Sequence, residues 1–212
     1  MTLNEFLKSV SNALEIEKVR YALAGGLITS IYRLEERTTK DIDFLIFAQS
    51  NTQDVAAKII KNFGLIPSII RKADLEGGPM FAIKKKNTHP FIIAGRNIND
   101  PEKIGLDFIL PQMPWFESAL PRAEENKIDF GFGKIPCLTV EDIILSKFYS
   151  LKNDSLRFND LDDLKSIFNA HHDLDLSYLT GQMQKFRFIV PDQIDRIVPN
   201  QLRLTSKMIR NS

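Results

Sequence analysis

Nine residues, Thr39 to Phe47, constrain this chain more than any other stretch. They read Thr-Lys-Asp-Ile-Asp-Phe-Leu-Ile-Phe, polar at first and then apolar and rich in Ile and Phe. That pattern predicts a buried strand. Side chains alternate across a strand, so positions i and i+2 share a face. Asp41 and Asp43 therefore point together, with Ile42 turned the other way. Two like charges held side by side repel unless a cation lies between them. Hard divalent ions with oxygen ligands fill that role, and magnesium is typically held by one or two carboxylates plus substrate phosphates. Fifteen positions before Asp41 stands the pair Gly25-Gly26, directly after another apolar run. Paired acids and a glycine turn on neighbouring strands point to chemistry on a nucleotide.

Bulk composition narrows the rest. The chain has 212 residues, 43% of them apolar and 26% charged, a balance that suits one large domain or a domain with a helical extension. The formal net charge is +1, so an anionic partner must be held by a local patch rather than by a global field. Cys137 is the one cysteine. An intrachain disulfide is excluded, and a reducing, cytoplasmic setting is expected. No apolar run approaches the ~20 residues a membrane span needs. Residues 1–18 read as an amphipathic helix rather than a secretory signal.

The periodicity predicts helices over residues ~3–17, 27–34, 52–63, 115–123, 143–151, 160–168, 176–185 and 193–209, and strands over 19–24, 41–47, 65–70, 80–83, 91–94 and 104–110. Gly25-Gly26 reads as a break after the first strand, Glu76 to Pro79 as a turn, Lys84 to Lys86 as a solvated lysine turn, and residues 127–138 as a hairpin. Gly64 suits a helix C-terminus. Thr139-Val140-Glu141-Asp142 has the form of an N-terminal capping box. The expected fold class is α/β (α+β), with a mixed β-sheet and flanking helices over residues 1–136, followed by a helical C-terminal part over 137–212.

The order strand, Gly-Gly, helix, Asp-x-Asp strand and later acid-bearing strand resembles the nucleotidyltransferase superfamily that includes DNA polymerase beta. Within it, the chain is most similar to the minimal nucleotidyltransferases and the AbiEii-type toxins. The residues that carry the likeness are Ala24-Gly25-Gly26, Arg37 to Asp43, Asp107 in Gly105-Leu106-Asp107-Phe108-Ile109, the helix Thr139 to Lys147, and Arg157 to Leu164. It spans residues 19–170 in order. The chain departs from the pattern at Asn159, where a Lys is common, and in the segment from Gly26 to Asp41, which is about one residue longer than the pattern.

The resemblance implies that Asp41, Asp43 and Asp107 hold two Mg²⁺ ions, with Mn²⁺ an alternative, and that Asp107 sits near the acceptor hydroxyl. Gly25 and Gly26 would let backbone approach a phosphate at a helix N-terminus. Arg37, Thr39, Lys40 and Lys147 are the candidate nucleotide-binding residues, with Asp142, Arg157, Asp160 and Asp163 as accessory candidates. The expected reaction moves a nucleoside monophosphate from an NTP to an acceptor, which could be a tRNA 3′ end, a protein or a small molecule. The same likeness suggests a toxin with an antitoxin partner and no membrane association. A silent nucleotide- or partner-binding module of the same fold is the alternative.

Each residue also has a plainer reading. Asp107 suits a solvent-facing strand position, and Lys147 a solvated helix lysine. Asp160 and Asp163, at i and i+3, suit the first turn of a helix. His89, His171 and His172 lack neighbours at metal-ligand spacing. Cys137, in an apolar context, is expected to be buried and inert.

Overall fold

The computed structural model describes residues 1–35, 38–71, 90–100, 102–111, 113–153 and 156–212. The expected turn at Glu76–Pro79, the strand 80–83, the lysines 84–86, His89 and Arg37 lie outside the described residues. The chain divides into two compact units, one of Met1–Ile28 with Arg37–Leu138, the other of Thr29–Glu36 with Thr139–Ser212.

The first unit holds α1 (Leu3–Ile16), β1 (Arg20–Ala24), the start of α2 (Gly25–Tyr32), β2 (Asp41–Phe47), α3 (Thr52–Asn62), β3 (Ile66–Arg71), β4 (Pro90–Arg96), β5 (Gly105–Ile109), α4 (Phe116–Glu125), β6 (Lys127–Asp129) and β7 (Lys134–Pro136). Thr2 opens α1 with a reciprocal capping box to Glu5. Gly64, at φ +68°, follows the end of α3, where only a glycine is free of Cβ strain.

Among the described residues the main sheet has five strands in the order β1-β2-β5-β4-β3. Only β2 and β5 run parallel; the other pairs are antiparallel. Register puts Leu23, Ile42, Phe44, Ile93, Leu106 and Phe108 on one face, all buried. Helices α1 and α3 contact each other, and α3 also lies on β3 and β4. Gly95 makes that approach possible, because a Cβ there would stand 2.7 Å from Cγ2 of Ile60 on α3. On the other face, Phe116 of α4 meets Phe47 at the far end of β2. Outside β1, the Leu138 N–H donates to the Leu23 carbonyl at 2.9 Å. The neighbouring Cys137 is fully buried, which pushes its thiol up to about 12.

The second unit holds the remainder of α2, then α5 (Val140–Asn153), α6 (Phe158–Ala170), α7 (Leu176–Phe186) and α8 (Asn200–Arg210). Two expectations change. The strand ends at the glycine pair as expected, but α2 begins on it, at Gly25, rather than at Leu27. The long terminal helix over 193–209 is instead a short 3-10 turn, Asp192–Ile194, and a separate α8. Pro199 stands at the N-cap of α8 with extended ψ of 143°, and a proline at a helix start cannot continue a preceding one. Among the described residues no helix is long and apolar enough to cross a membrane.

Candidate active site

Sheet register assembles the site. Asp43 is the direct partner of Asp107 across the parallel β2–β5 pair, and Asp41 is the partner of Gly105. Across the antiparallel β5–β4 pair, Ala94 faces Asp107. Continuing that register by two residues puts Arg96 level with Gly105. Asp41, Asp43, Asp107 and Arg96 thus share one face, opposite the apolar one.

Two glycines make room for them. Gly25 has φ of +62°, and a Cβ there would lie 1.9 Å from Oδ2 of Asp43. The Gly26 N–H donates to that same oxygen at 3.3 Å. Gly105 leaves a gap in β5: a Cβ would lie 2.2 Å from Oδ1 of Asp41 and 2.8 Å from Nη1 of Arg96. Across this gap the Arg96 guanidinium bridges two acids. It bonds both oxygens of Asp107, the Nη2–Oδ2 bond being 2.9 Å, and reaches Oδ2 of Asp41 at 3.2 Å. Nη1 also donates to the Gly95 carbonyl at 2.9 Å.

The charges are strained as well as paired. Burial, then the charges of Asp107 and Asp41, push the Asp43 carboxyl up to about 7, against the pull of the Gly26 N–H and of Arg96. Asp107 is raised too, because its burial outweighs the guanidinium beside it. The hydrogen bond to Asp107 in turn holds Arg96 above its usual value. Among the described residues, one guanidinium bonds this group of three carboxylates.

The donor chemistry suits a hard divalent ion, since three carboxylates on one strand face offer oxygen ligands and nothing softer. Among the described residues, however, no three acids, histidines or cysteines are grouped so as to hold an ion. Asp41 and Asp107 are turned to Arg96 instead, and Asp43 to the Gly26 N–H.

The other expected residues are placed as follows. The Thr39 hydroxyl donates to the Asp41 carbonyl at 3.1 Å, which shapes the start of β2. Lys40, exposed, pairs with Glu102 at 2.6 Å. Lys147 belongs to the second unit and is not a solvated helix lysine. Its ammonium is buried and donates to Asp160 at 3.0 Å and to Asp163 at 2.6 Å. Asp163 also pairs with Arg33, and Asp160 with Arg157 at 2.6 Å. Thr139 caps α5 by accepting from the Asp142 N–H, and the Asp142 carboxylate accepts from the Thr139 hydroxyl at 2.8 Å and from the Tyr178 hydroxyl at 2.5 Å. Arg96 and Gly105 escaped sequence reasoning. The one available signal was the Gly at the head of the Asp107 strand, which has a use only once β4 is known to lie beside β5.

The structure of ANT(2'')-Ia in complex with adenylyl-2''-tobramycin has the same fold, with a TM-score of 0.52 and 16% identity over 88% of this chain and 98% of that one. An antigenic nucleotidyltransferase-like protein from Paracoccidioides brasiliensis is also similar, with a TM-score of 0.48 and 13% identity over 99% of this chain and 88% of that one. No curated protein matches the sequence. The sequence does match the family described as nucleotidyl transferase AbiEii toxin, Type IV TA system, over residues 6–208. The chain belongs to that family and is a nucleotidyltransferase.

Proposed function

We propose that the enzyme uses two divalent ions, Mg²⁺ or Mn²⁺, held by Asp41, Asp43 and Asp107, to move an NMP from an NTP to an acceptor hydroxyl. The observation that carries this reading is the direct pairing of Asp43 with Asp107, with Asp41 on the same face. Ions bound there would neutralise charge at the α-phosphate and on the departing pyrophosphate. The acceptor oxygen attacks the α-phosphorus. The bond from that phosphorus to the bridging oxygen breaks, and pyrophosphate leaves with the electron pair. Asp107 would take the hydroxyl proton as general base. The first turn of α2, opening at Gly25 and Gly26, lies against Asp43 and would turn its positive dipole end to phosphate. Lys40 makes a surface pair to Glu102, which it can exchange for a triphosphate at little cost. Arg37 is a further cation for the same charge.

The family description supports a toxin acting within a pair with an antitoxin. The acceptor hydroxyl belongs to a tRNA 3′ end, a protein or a small molecule. The test incubates the protein with each α-labelled NTP, Mg²⁺ or Mn²⁺, and either total tRNA, protein lysate or small-molecule extract. Label should pass to one acceptor class with the wild type and to none with Asp41→Asn, whose fold should persist. Equal labelling by Asp41→Asn would remove the metal assignment.

A further inference from the structure

We propose that Arg96 is the resting counter-cation of the acid cluster, and that divalent ions load by displacing its guanidinium. Arg96 is then a positioning residue that sets the affinity of the site for metal. The inference rests on the metal-dependent reading above.

Three observations lead to it. First, the guanidinium takes both oxygens of Asp107 and one of Asp41, and these are two of the three acids an ion would need. A carboxylate oxygen engaged by a charge-assisted bond is poorly available as a ligand. Second, the place is built for it. Gly105 is the position where any side chain would collide with both Asp41 Oδ1 and Arg96 Nη1, and the Gly95 carbonyl holds Nη1 from the far side at 2.9 Å. Third, the arrangement is open to solvent. The Arg96 side chain is 42% exposed and Asp41 40%, against 14% for Asp107, so the guanidinium has solvent to retreat into.

The physical logic is a charge exchange. Without a counter-ion, three adjacent carboxylates repel and must take up protons or distort. Arg96 supplies part of the missing charge and keeps the acids in register. A divalent ion supplies more charge in a smaller volume and replaces the arginine on Asp41 and Asp107. Breaking the guanidinium bonds subtracts from the free energy of ion binding, so the wild-type site binds metal more weakly than its three acids alone would.

The test measures Mn²⁺ binding to the nucleotide-free full chain, from the loss of the free-Mn²⁺ paramagnetic resonance signal. Arg96→Met should bind Mn²⁺ about tenfold or more tightly than wild type, the factor expected when a charged hydrogen bond no longer competes. Its thermal midpoint in EDTA should fall, and Mn²⁺ should restore it. Arg96→Lys, which keeps the charge but not the two-pronged geometry, should lie between. A folded Arg96→Met with unchanged or weaker Mn²⁺ affinity overturns the inference while leaving the metal reading intact. Absence of Mn²⁺ binding in both wild type and variant overturns the metal reading itself. A further measurement needs no variant: Mg²⁺ titration of the wild type should shift the Arg96 Nε–Hε resonance, and an unmoved signal refutes the displacement.

Discussion

Two positions in this chain are glycine because a carboxylate stands where a Cβ would be. At Gly105 the conflict is with the ends of side chains, which can move. At Gly25 it is compounded. The backbone sits at φ +62°, and the hypothetical Cβ meets Oδ2, Cγ and even Cβ of Asp43, the last at 2.6 Å. Placing an L residue in that conformation costs about 1–3 kcal/mol, before the Asp43 side chain is moved. Gly25→Ala should therefore destabilise the protein by at least that amount in urea unfolding. It should also lose NMP transfer by more than its stability loss explains, because Asp43 must leave its bond to the Gly26 N–H. If the variant unfolds as the wild type does and retains transfer, the contact between α2 and Asp43 has no role in the site.

At the scale of elements, α5 and α6 are joined by a buried ion network. Lys147 of α5 faces Asp160 and Asp163 of α6, while Arg33 and Arg157 provide second cations for those same acids. Burial alone would raise Asp160, but Lys147 and Arg157 outweigh it and hold its carboxyl below the usual range. A lowered folded value means that this stabilisation is fully present above the unfolded value, near ~3.9. It is lost as the pH drops from there through the lower folded value. The second unit should thus keep this contribution at pH 5 and lose it progressively below about pH 4, an acid limb that Asp160→Asn should flatten. Lys147→Met removes a partner from two buried acids and should cost roughly 3 kcal/mol, at the low end for a broken buried pair because each acid keeps one cation. Circular dichroism melts from pH 3 to 7 check both. The helices themselves were legible, since each carries an apolar stripe such as Leu161, Leu164, Ile167 and Phe168. The network was not, because nothing in the spacing of Lys147, Asp160 and Asp163 says whether that face is buried, and Arg33 is over a hundred residues away. The end of the chain misled for a local reason: apolar periodicity ran on through Pro199, where the backbone does not.

Over the whole molecule, the Asp41–Asp43 pair and the apolar strand behind it were readable because a two-residue repeat is a local property. The placement of Asp107 followed only from resemblance, and that of Arg96 from neither, since strand order β1-β2-β5-β4-β3 is set by packing rather than by sequence neighbours. The chain also crosses between its units repeatedly, residues 29–36 grouping with the C-terminal helices, so an arginine from the first forty residues completes a network of the second unit. This division separates two kinds of effect on stability. Anything that binds the folded acid cluster and not the unfolded chain stabilises by mass action, about 2.7 kcal/mol at a hundredfold excess over Kd. For a chain of this length that corresponds to a rise of about 5–10 °C in thermal midpoint. Saturating Mg²⁺ with the preferred NTP should produce that rise in the wild type and little of it in Asp41→Asn. Lys147→Met should start from a lower midpoint yet show the same increment, because its ammonium is held by Asp160 and Asp163. A lost increment in Lys147→Met would instead make that lysine a ligand of the triphosphate, and its two aspartates the means of holding it ready.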